Sequence, residues 1–190
     1  MEIALLITSI LLISFGVLAV IDGIYLHIFK YQLHNHQESK TEHLTHTIRA
    51  FIFPGIVYFL FFKQNCEISF YIGISLVIID IIVLVIDAYT EKDSRAFMGG
   101  LPRWEYILHL FVNGFHFSSI AVFLAIKLKL SNNGIEIVSD LSNLKNFAIF
   151  EFIAVNLIHG AILLAFIHIF VIFKPSATYW NNWRTNIKCC

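Results

Sequence analysis

Two glutamate–histidine pairs repeat the same spacing at separate places in the chain. Glu42 precedes His46 by four residues, and Glu105 precedes His109 by the same interval. Residues four apart lie on one face of an α-helix, so each pair can present a carboxylate beside an imidazole. Carboxylate oxygens and neutral imidazole nitrogens are ligands that zinc, iron and manganese accept in proteins. The repeated spacing therefore predicts a metal site shared by two helices.

Three further residues belong near these pairs. Asp87 shares a helical stripe with Asp80, and His27 lies towards the end of the first apolar stretch, with Asp22 deeper and to one side. We therefore predict a site for one or two divalent metal ions, either iron or zinc. The predicted ligands are His46, His109, Asp87, Glu42, Glu105, His27 and Asp22.

The number of carboxylates favours a pair of iron ions. Soluble four-helix di-iron proteins place a histidine three residues after a glutamate, whereas the interval in this chain is four. Both intervals put the two ligands on one helix face, so the comparison supports the type of ligand set and not a specific family.

Further polar residues are expected deeper in the membrane than this site and at its outer end. Asp80, His116 and His159 lie deeper in the apolar stretches, and we expect them to form a second site or a relay. Arg95 lies close to the Gly99–Gly100 turn, where we expect it to bind an anionic substrate headgroup.

The remaining histidines fit ordinary surroundings. We expect the set comprising His34, His36 and His43 to be solvated, and His168 to lie at the membrane interface. Ser39 and Glu42 have the spacing of a capping box, in which the serine hydroxyl caps a helix and the glutamate binds back to the serine backbone.

The elements that carry these residues are apolar. The 190 residues are 58% hydrophobic and 14% charged, well below the roughly 25% charge of a soluble domain. The composition predicts one all-α integral membrane domain covering residues 1–190. Five transmembrane helices are expected at about residues 3–34, 40–62, 66–91, 102–128 and 143–173.

Lys and Arg residues predict the orientation of the spans. They are concentrated in the connections after the first and third spans and in the C-terminal tail, which places the N-terminus outside and the C-terminus in the cytoplasm. The metal ligands then form a four-helix polar cluster in the cytoplasmic half, and a bacterial inner membrane is the expected location. The formal net charge is zero, so nucleic acid is not expected as a partner.

These features predict a membrane-embedded metal-dependent enzyme, an oxidoreductase or a hydrolase, that acts on a lipid or another apolar molecule. An iron enzyme would also need a redox partner. Two alternatives remain open at this point, a carrier of electrons that binds haem b through two histidines and a transporter of protons or metal ions. A scaffold subunit, whose polar residues only hold helices together, is the fourth interpretation.

Overall fold

The computed structural model describes residues 1–132 and 134–187, and helices account for most of them. Five helices are long and apolar enough to span a membrane, which is consistent with an integral membrane protein. Their bounds are Glu2–Lys30, Lys40–Phe62, Glu67–Met98, Arg103–Lys127 and Phe147–Phe170. The five expected spans are therefore present as helices, and the second has the expected bounds.

Two of these helices change their winding before they end. Helix α1 (Glu2–Val20) continues as a π-helical segment, Ile21–Lys30, and α2 (Lys40–Ile56) continues as a shorter one, Val57–Phe62. In a π-helix each amide bonds to the carbonyl five residues earlier, and the Tyr31 amide does so with Leu26 at 2.8 Å. Pro54 lies in α2 shortly before the change, and a proline removes a helical donor.

The first helix is shorter than the sequence suggested, because it ends at Lys30 rather than at His34. Gln32 has a left-handed backbone with φ of 52°, which stops the helix, and a 3₁₀ turn follows at Leu33–Asn35. Helix α2 then starts at Lys40. We call the end of the bundle that contains residues 31–39 the histidine-rich end.

The remaining elements complete the bundle. Helix α3 covers Glu67–Ser94, a 3₁₀ turn covers Ala96–Met98, and α4 covers Arg103–Lys127. Strands β1 (Leu128–Ser131) and β2 (Gly134–Ile137) precede α5 (Phe147–Phe170) and α6 (Lys174–Ile187).

A β-hairpin and a short C-terminal helix add to the five predicted spans. Strands β1 and β2 pair as an antiparallel hairpin, with Leu128 opposite Ile137, which corrects the predicted all-α fold. Its turn reaches Gly134, which has a φ of 117° that glycine adopts without steric strain. The C-terminal tail forms the separate helix α6.

The five spans form an incomplete ring around a central space. Helix α1 packs along α4 and α5, and α2 packs along α3 and α5, whereas α3 and α4 make no comparable contact within the described residues. Near the hairpin the interior is mainly apolar, and Phe123 stacks on Phe150 with ring centroids 5.6 Å apart, although Lys127 is also buried there and donates to Gln64 at 2.8 Å. Polar side chains fill the interior towards the histidine-rich end.

Candidate metal centre

His27 lies at the middle of the polar cluster. Its Nε2 atom is 3.3 Å from Oδ1 of Asp22, 3.9 Å from Oε1 of Glu42 and 3.8 Å from Oε1 of Glu105. The His27 ring centroid is 4.2 Å from that of His46. One buried imidazole therefore contacts side chains from the π-helical segment, from α2 and from α4.

The π-helical segment explains how Asp22 reaches this position. His27 lies five positions after Asp22, and the i→i+5 bonding of a π-helix places such residues about one turn apart. Both side chains then face the same space. In an ordinary α-helix Asp22 would lie to one side, as predicted from the sequence, so its position in the cluster has a physical cause that the spacing alone did not reveal.

Two overlapping triads have the geometry to bind metal ions. Asp22, His27 and His46 form one triad, and His27, Glu105 and His109 form the other. In each triad three ligand atoms lie within 4.8 Å of one another. Glu42 adjoins both, because its Oε1 atom is also 3.9 Å from Nε2 of His46. Six of the seven predicted ligands therefore meet at one place.

Asp87, the seventh, binds the outer side of the cluster. Its Oδ2 atom is 3.3 Å from Nε2 of His46, and its other oxygen accepts a hydrogen bond from the Thr45 hydroxyl. Glu91 and Asp22 bind the two ring nitrogens of His109, and the Asp22 contact measures 2.9 Å. Carboxylates in such positions hold a histidine in one orientation and raise its basicity.

Arg95 differs from its expected role. Its Nη1 atom donates to Glu42 at 2.6 Å and its Nη2 atom donates to Glu105 at 2.6 Å. The side chain is completely buried, so its guanidinium group does not point to the solvent and bridges two candidate ligands. The expectation that Arg95 binds a substrate headgroup is therefore corrected, because both carboxylates already occupy it.

The proposed capping box is also absent. The Ser39 hydroxyl donates to the Ser94 carbonyl oxygen at 2.7 Å, and the Glu42 carboxylate binds Arg95 instead of the serine backbone. Two residues that could have capped α2 thus join it to the end of α3. The capping pattern predicted where the helix begins, but long-range partners compete for both side chains.

A second polar group lies deeper in the bundle. Nε2 of His116 is 3.2 Å from Oδ2 of Asp80, and the Arg49 side chain donates to Asp80 at 3.0 Å and to Asn113 at 3.0 Å. His159 stays outside this group, because it is exposed and bonds to the Val155 carbonyl of its own helix. Of the three relay residues expected from the sequence, the structure brings only two together.

A partly open cavity of about 210 Å³ adjoins both polar groups. Its polar lining includes Asp22, His46 and His109, and then Asp80 and His116. Small and apolar residues of α1 and α5 also line it, namely Phe15, Gly16, Ala19, Val20, Leu157, Gly160, Ala161 and Leu164. An apolar molecule in this space would lie beside the candidate ligands.

Several buried ligand atoms of the cluster have no hydrogen-bond partner among the described residues. They are both nitrogens of His27, Nε2 of His46, Oε1 of Glu42 and Oε2 of Glu105. A buried polar atom without a partner costs about 1–3 kcal/mol, so such atoms are rare in folded proteins and are seldom clustered. An ion at this place would satisfy them.

Sequence reasoning missed other members of the site. Glu91 lies four residues after Asp87 on the same helix face, but it was not predicted to join the cluster. His43 was expected to be solvated and His168 to be interfacial, although both are buried. The spacing from Asp87 could have identified Glu91. The signal for His168 was absent, because helical spacing within α5 does not reveal which side of that helix faces α2.

Comparisons of this chain with protein-family models, with curated proteins and with solved structures found no match. The argument about function therefore rests on the geometry of the cluster and of the cavity.

Proposed function

We propose that the chain is a membrane-embedded metal-dependent enzyme whose metal centre is built around His27. The single observation that carries this proposal is the convergence of unpartnered ligand atoms. Oε1 of Glu42 lies 3.9 Å from Nε2 of His27 and 3.9 Å from Nε2 of His46. None of these three atoms has a hydrogen bond among the described residues. Apolar packing or helix association gains nothing from such an arrangement, whereas a divalent cation does.

The proposed centre holds one or two ions of iron or zinc. His27 belongs to both triads, so a second ion would share the carboxylates around it. Bound iron would supply oxygen-dependent oxidation, and bound zinc would supply a metal-activated water for hydrolysis. An iron enzyme would also require a redox partner that delivers electrons.

The surrounding residues have defined roles in this proposal. Arg95 binds Oε2 of Glu42 and leaves its Oε1 facing His27 and His46, and it also holds Oε1 of Glu105 beside His27. Glu91 binds Nδ1 of His109, which leaves Nε2 on the side of Asp22 and the cluster, and Asp87 lies beside Nε2 of His46 as a further candidate oxygen ligand. These contacts keep the ligands in place before the ion binds, which reduces the cost of ordering them on binding.

The cavity supports an apolar substrate. Most of its α1 and α5 lining is small or apolar, although Asn156 and His168 of α5 also line it, and it includes three candidate ligands, Asp22, His46 and His109. A substrate that places a hydrocarbon chain between Gly16 and Ala161 would bring a carbon near its head to the metal centre. A membrane lipid fits this description, because its chain enters from the bilayer and its head stays near the polar end.

The two alternative functions explain the cluster less well. Haem b needs two facing imidazoles but no carboxylates, whereas Asp22, Glu42 and Glu105 lie within 4 Å of His27. A transporter needs a polar route through the whole membrane. In this bundle the interior near the hairpin is filled by Phe61, Phe123 and Phe150 among other apolar residues.

For orientation, we propose that the histidine-rich end faces the cytoplasm and that the membrane is a bacterial inner membrane. The support is the concentration of Lys and Arg at this end. In this arrangement the N-terminus is outside and the C-terminus is in the cytoplasm.

The proposed activity is tested with purified protein in liposomes of bacterial lipids. One sample is loaded with Fe²⁺ and given oxygen and a chemical reductant, and the other is loaded with Zn²⁺. Mass spectrometry of the lipids then detects either oxygen insertion or desaturation, or the release of a fatty acid. The Glu42→Gln variant is the control, because it removes a candidate ligand charge at nearly the same volume.

Turnover by the wild-type protein and its loss in Glu42→Gln would support the enzyme. The metal that gives turnover would also decide between oxidation and hydrolysis. If neither metal gives a lipid product above the control, the lipid-enzyme proposal is refuted.

A further inference from the structure

Three histidines outside the metal centre form a second cluster, which we call the histidine trio. His34 belongs to the turn Leu33–Asn35, His43 to the first turns of α2, and His168 to the end of α5. The ring centroids of His43 and His168 are 5.4 Å apart, and those of His34 and His43 are 5.9 Å apart. Three separate elements thus bring imidazoles together at the histidine-rich end.

The ring nitrogens of the trio are buried and largely unpartnered. His43 and His168 are 4% and 1% exposed. Both nitrogens of His34, both nitrogens of His43 and Nδ1 of His168 have no hydrogen bond to any described residue. Leaving buried polar atoms without a partner is unfavourable. A metal ion bound by several of these nitrogens would give them a partner.

The surroundings of the trio favour neutral imidazoles. Burial lowers the pKa of His34, and its charged neighbours are Arg184 and His36 rather than a carboxylate. A neutral imidazole is the form that binds a metal ion. A ligand set of nitrogen alone suits zinc or copper better than magnesium or calcium, which prefer oxygen.

The separations of the rings also fit a shared ion. A zinc–nitrogen bond of about 2.0–2.1 Å puts an imidazole centre roughly 3 Å from the ion, so two such rings have centres roughly 5–6 Å apart. Both measured separations lie in this range. Gly23 leaves room for His168, because a Cβ atom at position 23 would be 3.1 Å from its Nε2.

We propose that His34, His43 and His168 form a second metal site, which binds one Zn²⁺ or Cu⁺ ion through nitrogen alone. This site is distinct from the centre at His27, which contains carboxylates, and it does not depend on the catalytic function proposed above. Binding one ion in this way requires the three rings to rotate so that one nitrogen of each points towards it.

The test is equilibrium dialysis of untagged protein against buffered Zn²⁺, followed by elemental mass spectrometry. The variants are His43→Phe and His27→Phe, which keep an aromatic ring but remove the nitrogens of one site each. His36→Phe is the matched control, because the His36 ring stacks on Phe97 at 3.8 Å and lies outside the trio.

We expect His43→Phe to bind one Zn²⁺ fewer than the wild-type protein, and His27→Phe to keep the ion of the trio. His34→Phe changes a ring in a short connection rather than in a span, so it provides a second variant if His43→Phe does not fold. We expect it to weaken the same ion at least tenfold. His36→Phe should bind as much Zn²⁺ as the wild-type protein.

The proposal is overturned if folded His34→Phe or His43→Phe binds as much zinc, and as tightly, as the wild-type protein. If only His27→Phe loses zinc, the metal centre stands and the trio does not. If only the trio variants lose zinc, the second site stands and the centre at His27 does not bind zinc, which leaves iron as its proposed ion.

Discussion

Nε2 of His27 lies 3.3 Å from Oδ1 of Asp22, although five positions separate the two residues in the chain. In an α-helix this interval would turn the two side chains about 140° apart. The π-helical segment Ile21–Lys30 brings them onto one face. A single short segment therefore supplies a carboxylate and the central imidazole of the cluster, and π-helical turns often occur at functional sites.

Arg95 should stabilise both the fold and the metal centre. Replacing it with Met leaves Glu42 and Glu105 buried without their cation, and the loss of one partner from a buried ion pair costs about 3–5 kcal/mol. We expect a lower unfolding temperature in detergent, measured by tryptophan fluorescence. We also expect a reduced metal content.

The matched control for Arg95 is the triple variant Arg95→Met, Glu42→Gln, Glu105→Gln. It removes the three charges together, so most of the stability lost in Arg95→Met should return. Metal binding should be lost, because two candidate carboxylate ligands are gone. An unchanged unfolding temperature and metal content in Arg95→Met would show that the buried bridge has neither role.

Thr45 is expected to act through Asp87. The Thr45 hydroxyl donates to Asp87, which in turn contacts His46. Thr45→Val keeps the shape and removes the donor, and loss of such an outer contact weakens metal affinity about 10–100-fold. Thr90→Val is the control, since the Thr90 hydroxyl bonds only to carbonyls of its own helix among the described residues. Equal metal affinity in both variants would contradict this role.

Gly160 should control access to the cavity. It lines the cavity, and neither Gly160 nor Gly114 has an atom within 4 Å of an added Cβ. We expect Gly160→Leu to reduce the binding of a spin-labelled fatty acid, measured by electron paramagnetic resonance, at least tenfold. Gly114→Leu, on a glycine outside the cavity lining, should bind it normally. Equal binding by the two variants would place the substrate elsewhere.

Cys66 provides a test of the orientation. It is exposed in the connection between α2 and α3, and hydrogen bonds from the Ser69 backbone and hydroxyl lower the pKa of its thiol. A lower pKa increases the thiolate fraction at neutral pH, so labelling with a maleimide should be fast. In a background with Cys189→Ser and Cys190→Ser, an impermeant maleimide should label intact cells.

Ser69→Ala should slow this labelling at pH 7, because it removes the Ser69 hydroxyl as a donor to the thiolate while the backbone donor stays. The difference should disappear at high pH, where the thiol is ionised in both proteins. Labelling that occurs only after the cells are opened would reverse the proposed orientation.

The sequence was sufficient to predict the spans and most of the polar cluster. Apolar length defined the five helices, and helical stripes grouped Glu42 with His46 and Glu105 with His109, which the structure brings into one cluster. It was not sufficient where winding or helix rotation decides the outcome. The position of Asp22 depends on a π-helical segment, and that of His168 depends on how α5 is turned against α2.

Charge partners were also beyond the reach of the sequence. Arg95 is close to a glycine turn, which suggested an exposed headgroup site, whereas the fold buries it between two glutamates 10 and 53 residues away. The same limit applies to Ser39, whose hydroxyl binds the end of α3. Long-range pairs of this kind follow from the packing of helices and not from local spacing.

The central claim is that His27 and the residues around it bind a metal ion. Elemental mass spectrometry of untagged protein purified in detergent, compared with His27→Phe, tests it most directly. The account predicts bound iron or zinc in the wild-type protein and a loss of one or two ions in His27→Phe, with His159→Phe unchanged. Equal metal content in wild-type protein and His27→Phe, or no metal in the wild-type protein after reconstitution, would contradict it.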